Sequence, residues 1–292
     1  MTATLDGTLP LRALVSALEA QLQEAGIATS RAEAEWLLAD TLGLQRTELY
    51  LWDQPIPQDR LELMSQRLAR RLDGEPLQYV LGSCDFFGHR VAVSPGVFIP
   101  RPETEILAQE AVAWLRQRVA EGMAAPRALD LGTGSGCLAI SLAKAVPTCT
   151  VVAVELSWKA LQAARTNVVA HRVEHRISIV QADWTAGLGG RFDLIMSNPP
   201  YVPDDEVWRV HGRPSDPELS LRGGPDGMAF HRRLLAEAPQ LLAPGGALLM
   251  ECAEAQARLL QDMVTTASWA KTATMYHDLA GRPRGLFIES AT

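Results

Sequence analysis

Four consecutive residues, Asn198-Pro199-Pro200-Tyr201, put hydrogen-bond acceptors and a flat ring at one stiff point of the backbone. The Asn198 amide oxygen can accept a hydrogen bond. Pro200 has no N–H and both proline rings fix φ, so the Pro199 carbonyl is left free at a rigid position. Tyr201 supplies a face that packs over a planar group. Two acceptors and a stacking ring suit an –NH2 conjugated to a π-system. They hold its hydrogens and turn the nitrogen lone pair toward an electrophile. A stiff turn with a packing tyrosine would use the same residues, so the tetrapeptide gains its weight from what precedes it.

What precedes it is a glycine loop. Asp130-Leu131-Gly132-Thr133-Gly134-Ser135-Gly136-Cys137 lies where an apolar strand turns into a helix. Glycines there let the backbone turn tightly and approach a ligand. The dinucleotide pattern G-x-G-x-x-G requires glycine at 137, where Cys137 stands. The spacing G-x-G-x-G suits a nucleoside without a pyrophosphate. Nineteen residues beyond Gly136, the next strand ends in Glu155, which can accept from both hydroxyls of a ribose. Asp183-Trp184 ends a third strand and offers an acceptor for an adenine amino group beside an aromatic face. Neither a phosphate-binding G-K-[ST] loop nor a G-x-S-x-G nucleophile elbow occurs.

In these three features the chain resembles the S-adenosylmethionine-dependent methyltransferases. The resemblance implies cofactor contacts at Asp130, Gly132, Thr133, Gly134, Ser135, Gly136, Glu155, Asp183, Trp184 and Asn198, with S-adenosylhomocysteine as product. The N-P-P-Y tetrapeptide is shared by methyltransferases of adenine N6, cytosine N4 and the glutamine amide, so it names the acceptor chemistry and not the molecule. The segment Val97-Phe98-Ile99-Pro100-Arg101-Pro102-Glu103-Thr104-Glu105 narrows the choice. With Leu77–Gly82, Phe86-Phe87-Gly88, Leu219–Gly227 and Leu242–Gly246, it resembles the peptide chain release factor glutamine methyltransferases over nearly the whole chain. That resemblance implies methylation of N5 of the glutamine in the Gly-Gly-Gln motif of class 1 release factors. Asn198, Pro199 and Tyr201 would then be catalytic, and Asn198, Pro199, Pro200, Tyr201, Arg101 and Glu103 would bind substrate. Three positions depart from the family pattern: Glu155 replaces a common Asp, Arg222 takes a usually acidic place, and Glu251-Cys252-Ala253 replaces E-I-G. The alternatives are a ribosomal-protein glutamine methyltransferase, a DNA or RNA exocyclic-amine methyltransferase, and a non-catalytic binding module on the same fold.

These residues need a frame. Leu11, Leu14, Val15, Leu18 and Leu22 recur at helical spacing up to Gly26. Ser30 and Glu33 form an S-x-x-E capping pattern before a second helix. Further short helices run to Gly74, so residues 1–76 read as a small helical bundle that docks the substrate protein. Residues 77–99 are rich in β-formers, with Gly88-His89 as a turn, and read as a β-hairpin linker. Residues 100–292 alternate strand and helix. Five apolar runs at 128–131, 151–154, 177–180, 194–196 and 247–250, plus 272–278 and 285–289, give seven strands. The expected class is α/β: a doubly wound, mostly parallel, Rossmann-like methyltransferase sheet with an antiparallel hairpin at one edge.

Composition sets the outer limits. A chain of 292 residues, 47% of them hydrophobic, buries roughly three quarters of its extended-chain surface on folding. Its net charge of −7, from 34 acidic and 27 basic residues, argues against a nucleic-acid partner. No apolar run approaches a membrane span and the first residues do not read as a signal peptide. Four scattered cysteines fit a reducing cytoplasm. A monomer is the expected state. His171 and His175 stand four apart on an expected helix, yet a third ligand is missing and a metal is not expected. Arg67, Arg70 and Arg71 read as an exposed helix face.

Overall fold

The computed structural model describes residues 10–207 and 216–291. The chain divides into two compact units, Met1–Ser83 and Cys84–Thr292.

The first unit holds α1 (Leu11–Glu24), α2 (Ser30–Leu42), α3 (Gln58–Leu72) and α4 (Leu77–Leu81). The periodic residues Leu14, Leu18 and Leu22 of α1 are buried with Leu37 and Leu38 of α2 and Met64 and Leu68 of α3. Two local expectations change. Thr29 takes the N-cap position of α2 without a side-chain capping bond, its hydroxyl donating instead to Glu33 Oε1 at 2.9 Å; Ser30 is the first helical residue and the S-x-x-E box does not form. Leu77–Leu81 is a helix and not a strand, because Pro76 opens it and the left-handed Gly82 closes it. Tyr79 and Val80 are buried within that turn despite their β-propensity. Of Arg67, Arg70 and Arg71 in α3, only Arg70 is exposed as expected, while Arg67 and Arg71 are largely covered. Arg67 pairs with Asp40 at 2.8 Å, Arg70 with Glu75 at 2.6 Å and Arg71 with Glu33 at 2.6 Å.

β1 (Ser83–Phe86) and β2 (His89–Ala92) form the expected hairpin. Its turn is one residue earlier than expected, at Phe87-Gly88, where both residues have positive φ as a two-residue type I′ turn requires.

The second unit contains α5 (Thr104–Ala120), β3 (Arg127–Leu131), α6 (Cys137–Ala145), β4 (Thr150–Glu155), α7 (Trp158–Ala170), β5 (Ile177–Gln181) and β6 (Phe192–Ser197). It continues through α8 (Ala229–Leu241), β7 (Leu242–Glu251), α9 (Ala257–Thr265), β8 (Ala270–His277) and β9 (Pro283–Ser290). The sheet runs β5-β4-β3-β6-β7-β9-β8, with β9 antiparallel to both of its neighbours. Successive residues of β3 face opposite cores. Ala128 packs with Leu107, Leu115 and Ile140 on one face, and Leu129 with Leu234, Leu260 and Ile288 on the other. The strand order reverses direction between β3 and β6, and the cleft outside their carboxyl ends is where open α/β sheets hold ligands. The helix before His171 ends at Ala170, so His171 and His175 do not share a helical face. No metal-holding cluster exists among the described residues.

Candidate active site at the carboxyl ends of β3, β4 and β6

A cavity of about 470 Å³ opens at this switch point, lined by the glycine loop, the end of β4 and the residues after β5 and β6. Gly132, Gly134 and Gly136 all have positive φ. A Cβ at Gly132 or Gly134 would meet no protein atom within 4 Å, whereas one at Gly136 would touch Ala164 at 3.4 Å. The first two glycines supply backbone conformation at the cavity wall; the third also permits close helix packing. Glu155 Oε2 accepts from Gly134 N at 2.9 Å and Oε1 from Ser157 N at 2.8 Å. Each oxygen keeps a second lone pair, so the carboxylate can brace the loop and still accept from a diol.

Asp130 sits behind the loop and does not line the cavity. It is fully buried, and Thr133 Oγ1 donates to its Oδ2 at 2.6 Å. Burial pushes its carboxyl up to about 7, partly offset by the Thr133 hydroxyl. Gly136 and Glu103 also stand outside the lining, while Thr133, Ser135 and Arg101 belong to it. Asp183 lines the far end, where its Oδ1 accepts from Arg233 Nη1 at 2.8 Å. Trp184 stacks on Phe230, with ring centres 4.9 Å apart at 24°. Its φ of 54° is unusual for so bulky a side chain, a conformation costing about 1–3 kcal/mol that its surroundings must sustain. An aromatic wall, a diol acceptor and an open glycine loop fit a purine nucleoside. Phe230 and Arg233, both from α8, were not foreseen because that helix is distant in sequence.

At the other end lie Asn198, Pro199, Pro200 and Tyr201. The parallel register of β6 and β7 pairs Ser197 with Met250, which sets Asn198 beside Glu251. Asn198 Nδ2 donates to Thr104 Oγ1 at 3.0 Å. Tyr201 Oη donates to Glu251 Oε1 at 3.2 Å. Burial, and then the nearby Glu251 carboxylate, raise the Tyr201 hydroxyl well above its ordinary range, so it stays protonated. No hydrogen bond reaches the Pro199 oxygen among the described residues. Arg101 forms an ion pair with the buried Asp216, whose Oδ1 also accepts from Ile99 N at 3.2 Å. The I-P-R-P segment is thereby pinned along the cavity.

Residues 13–82 match the family described as PrmC N-terminal domain, and residues 103–210 the family described as methyltransferase small domain. A release factor glutamine methyltransferase of Geobacter sulfurreducens is 41% identical over 246 residues, which is 83% of this chain and 84% of its own. One from Mycolicibacterium smegmatis is 39% identical over 275 residues, covering 94% of this chain and 95% of its own. The chain belongs to the release factor glutamine methyltransferase family. Among solved structures, a methyltransferase from Pyrococcus furiosus aligns with a TM-score of 0.53 at 20% identity, over 78% of this chain and all of its own, a likeness of fold.

Family membership gives context to residues that no local motif exposes. Gln256 Nε2 donates to the carbonyls of Tyr201 at 2.8 Å and Gly227 at 3.2 Å. A Cβ at Gly227 would overlap the Tyr201 carbonyl, and one at Gly223 would stand 2.8 Å from Tyr201 Cα. The R-G-G-P-D-G stretch quoted as a family resemblance is therefore a backbone clamp on Tyr201. Thr104 and Glu251 likewise reach Asn198 and Tyr201 from separate elements.

Proposed function

We propose that this chain transfers the methyl group of S-adenosylmethionine to N5 of the glutamine in the Gly-Gly-Gln motif of class 1 peptide chain release factors. The observation carrying this reading is the acceptor end of the cavity: the Asn198 –NH2 is tied back by Thr104, so its oxygen is the group left to receive a substrate N–H. The names of the relatives supply the substrate class. Glu155, the glycine loop and the Trp184–Phe230 wall would hold the cofactor, with Gly132, Thr133, Gly134 and Ser135 lining its path and Asp130 and Gly136 shaping the loop from behind. When bound, the cofactor supplies a methyl group already activated as a sulfonium.

The chain's own residues then have an orienting task. An amide nitrogen is a weak nucleophile because its lone pair is delocalised into the carbonyl. Asn198 Oδ1 and the Pro199 carbonyl hold the two amide hydrogens, which aims the lone pair along the line of attack, and Tyr201 packs over the amide plane. Holding reactants in such geometry supplies several kcal/mol of the barrier reduction. The methylated nitrogen is acidic enough to lose its proton without a dedicated base. Arg101 and Glu103 would line the approach of the peptide, and the helical unit would dock the release factor. The partner is a protein and not a nucleic acid, and the chain works as a monomer in the cytoplasm. No described helix is long and apolar enough to cross a membrane.

Incubation with radiolabelled S-adenosylmethionine and, separately, a release factor, its Gln→Ala variant, ribosomal protein and DNA tests this reading. Label is expected on the intact release factor alone; label on the Gln→Ala variant or on DNA would refute it. Asn198→Ala should keep cofactor binding by calorimetry and lose about a hundredfold or more in turnover.

A further inference from the structure

The Ser135 carbonyl of the glycine loop is drawn away from the cavity. It accepts from Asn167 Nδ2 at 2.9 Å, and Asn167, on α7, is buried and forms no part of the cavity wall. The same amide bonds twice more. Its second Nδ2 hydrogen goes to the Ala92 carbonyl at 3.0 Å, and its Oδ1 accepts from Ala92 N at 2.8 Å. β2 pairs with β1 in a two-stranded sheet, so main-chain groups on its outer edge need other partners. Asn167 meets them with one donor and one acceptor, as a neighbouring strand would, and has one hydrogen left for the loop. A 180° turn of the amide would set its oxygen against two carbonyls, so its orientation is fixed. His171, one helical turn further on, donates from Nε2 to the Arg90 carbonyl at 2.8 Å and adds a second clasp on β2.

The loop's N–H groups are held from the sheet side. Gly132 N and Thr133 N both donate to the Val154 carbonyl at 2.9 Å, and Gly134 N donates to Glu155 Oε2 at 2.9 Å. Asn167 holds a carbonyl from the α7 side. Ala164, three residues earlier on the same helical face, stands against Gly136. Glycines flank Ser135 on both sides, so sterics constrain its peptide planes weakly. The Asn167 bond sets which way the carbonyl points.

We propose that Asn167 is a positioning residue for cofactor binding: its amide holds the Ser135 carbonyl on the α7 side of the glycine loop and ties that loop to the outer edge of β2. This rests on the reading of the loop as the S-adenosylmethionine site. Asn167 acts through Ser135, which lines the cavity, and does not itself reach it. Aspartate at this position keeps an acceptor for Ala92 N but has no hydrogen for the Ser135 carbonyl, and alanine has neither. A loop that is competent for only part of the time binds with an affinity reduced by the competent fraction. Once the cofactor is bound the loop is in its productive form, and the acceptor residues at the other end of the cavity are unchanged. The loss therefore belongs to cofactor affinity and not to the rate at saturation.

The test compares the full-length parent with Asn167→Asp and Asn167→Ala. Calorimetry with S-adenosylhomocysteine should show binding weakened about tenfold or more in both variants. KM for S-adenosylmethionine should rise in step, with kcat at saturating cofactor within about threefold of the parent. Hydrogen exchange separates the two ends of the amide. The Ala92 N–H should stay protected in Asn167→Asp, which still accepts from it, and lose protection in Asn167→Ala. A side chain that only fastened the hairpin would leave Asn167→Asp binding the cofactor as the parent does. Cofactor affinity within about twofold of the parent in that variant would therefore overturn the proposal, as would a tenfold fall in kcat with KM unchanged. The parent gives a measurement that needs no variant: in asparagine-labelled protein the Asn167 side-chain amide protons should exchange slowly by nuclear magnetic resonance. Exchange as fast as that of an exposed asparagine would overturn the latch even if neither variant folded. Failure of the parent to bind S-adenosylhomocysteine would refute the cofactor reading instead, and the amide protons would still decide the latch.

Discussion

Two buried glutamates in this chain have opposite electrostatic fates. Glu35, in the helical unit, is 7% exposed and Glu251, at the end of β7, is 2% exposed. Burial pushes both carboxyls up. Around Glu35 the Tyr50 hydroxyl, at 2.5 Å, and the guanidiniums of Arg46 and Arg31 outweigh that push, and its carboxyl stays below the ordinary value. Glu251 has no guanidinium in contact and rises to about 7. Glu33, Asp40 and Glu35 of the helical unit are ion-paired, as is the buried Asp216 of the second unit, while Asp130 behind the glycine loop is held by a threonine hydroxyl and reaches about 7. Paired acids hold a fold together. Acids left to hydroxyls keep an ionisation that can be read near neutral pH, which is the condition under which they influence a reaction.

The comparison breaks most severely at Gly227. Gly227→Ala places a methyl group against the Tyr201 carbonyl and Gln256 Nε2 at a positive φ, so it should cost about 3 kcal/mol or more in urea unfolding. It should also pull the Tyr201 hydroxyl off Glu251, leaving that carboxylate still less supported. Next, Glu35→Ala strands Tyr50 and two arginines that are about 40% exposed, and a loss near 2 kcal/mol is expected after solvent screening. Thermal unfolding of the variant reads this directly, and a loss under half that figure would mean that the cluster is no stronger than an ordinary surface pair.

Glu251→Gln should act in the opposite direction. A carboxyl at 4.5 when unfolded and about 7 when folded keeps its proton in the folded state while the unfolded chain releases it. Native stability therefore falls as pH rises from 4.5 toward 7 and stays lower above it, by up to roughly 3 kcal/mol. The glutamine variant lacks this slope and should be more stable than the parent at pH 8, with little difference at pH 4. An identical pH profile in parent and variant would place the Glu251 ionisation at its ordinary value. The smallest effect belongs to Arg118→Ala, whose pair with Glu121 at 3.1 Å is exposed on both sides; unfolding should change by about 0.5 kcal/mol or less.

Legibility in the sequence followed contiguity. The glycine loop and Asn198-Pro199-Pro200-Tyr201 could be read because each is one unbroken turn at a strand end, where backbone constraint and side-chain chemistry sit in adjacent letters. The sheet was legible because β3 through β7 are apolar runs, with helices between all of them except β5 and β6, which a turn-rich segment joins. What stayed hidden depends on register and on contacts across the fold. Glu251 meets Asn198 only through the pairing of Ser197 with Met250. Phe230 and Arg233 arrive from α8, and Gln256 from the turn before α9. Thr104 lay inside a segment singled out for family resemblance, but its use needs the Nδ2 contact to be seen. The errors were local contests: Thr29 against Ser30 before α2, and the Pro76–Gly82 frame against the β-propensity of Tyr79 and Val80.

The empty surroundings of the Gly132 and Gly134 α-carbons carry a final consequence. At these two positions the loop demands the sign of a torsion, and a side chain would enter the cavity along which the cofactor is proposed to lie. Asparagine, which tolerates the left-handed region, should therefore be accepted by the fold at either one for about 1 kcal/mol, while valine should not. At Gly136 the same torsion is combined with a packed neighbour, since a Cβ there would touch Ala164 at 3.4 Å. Substitution in the loop is thus felt by the cavity at two positions and by helix packing at the third.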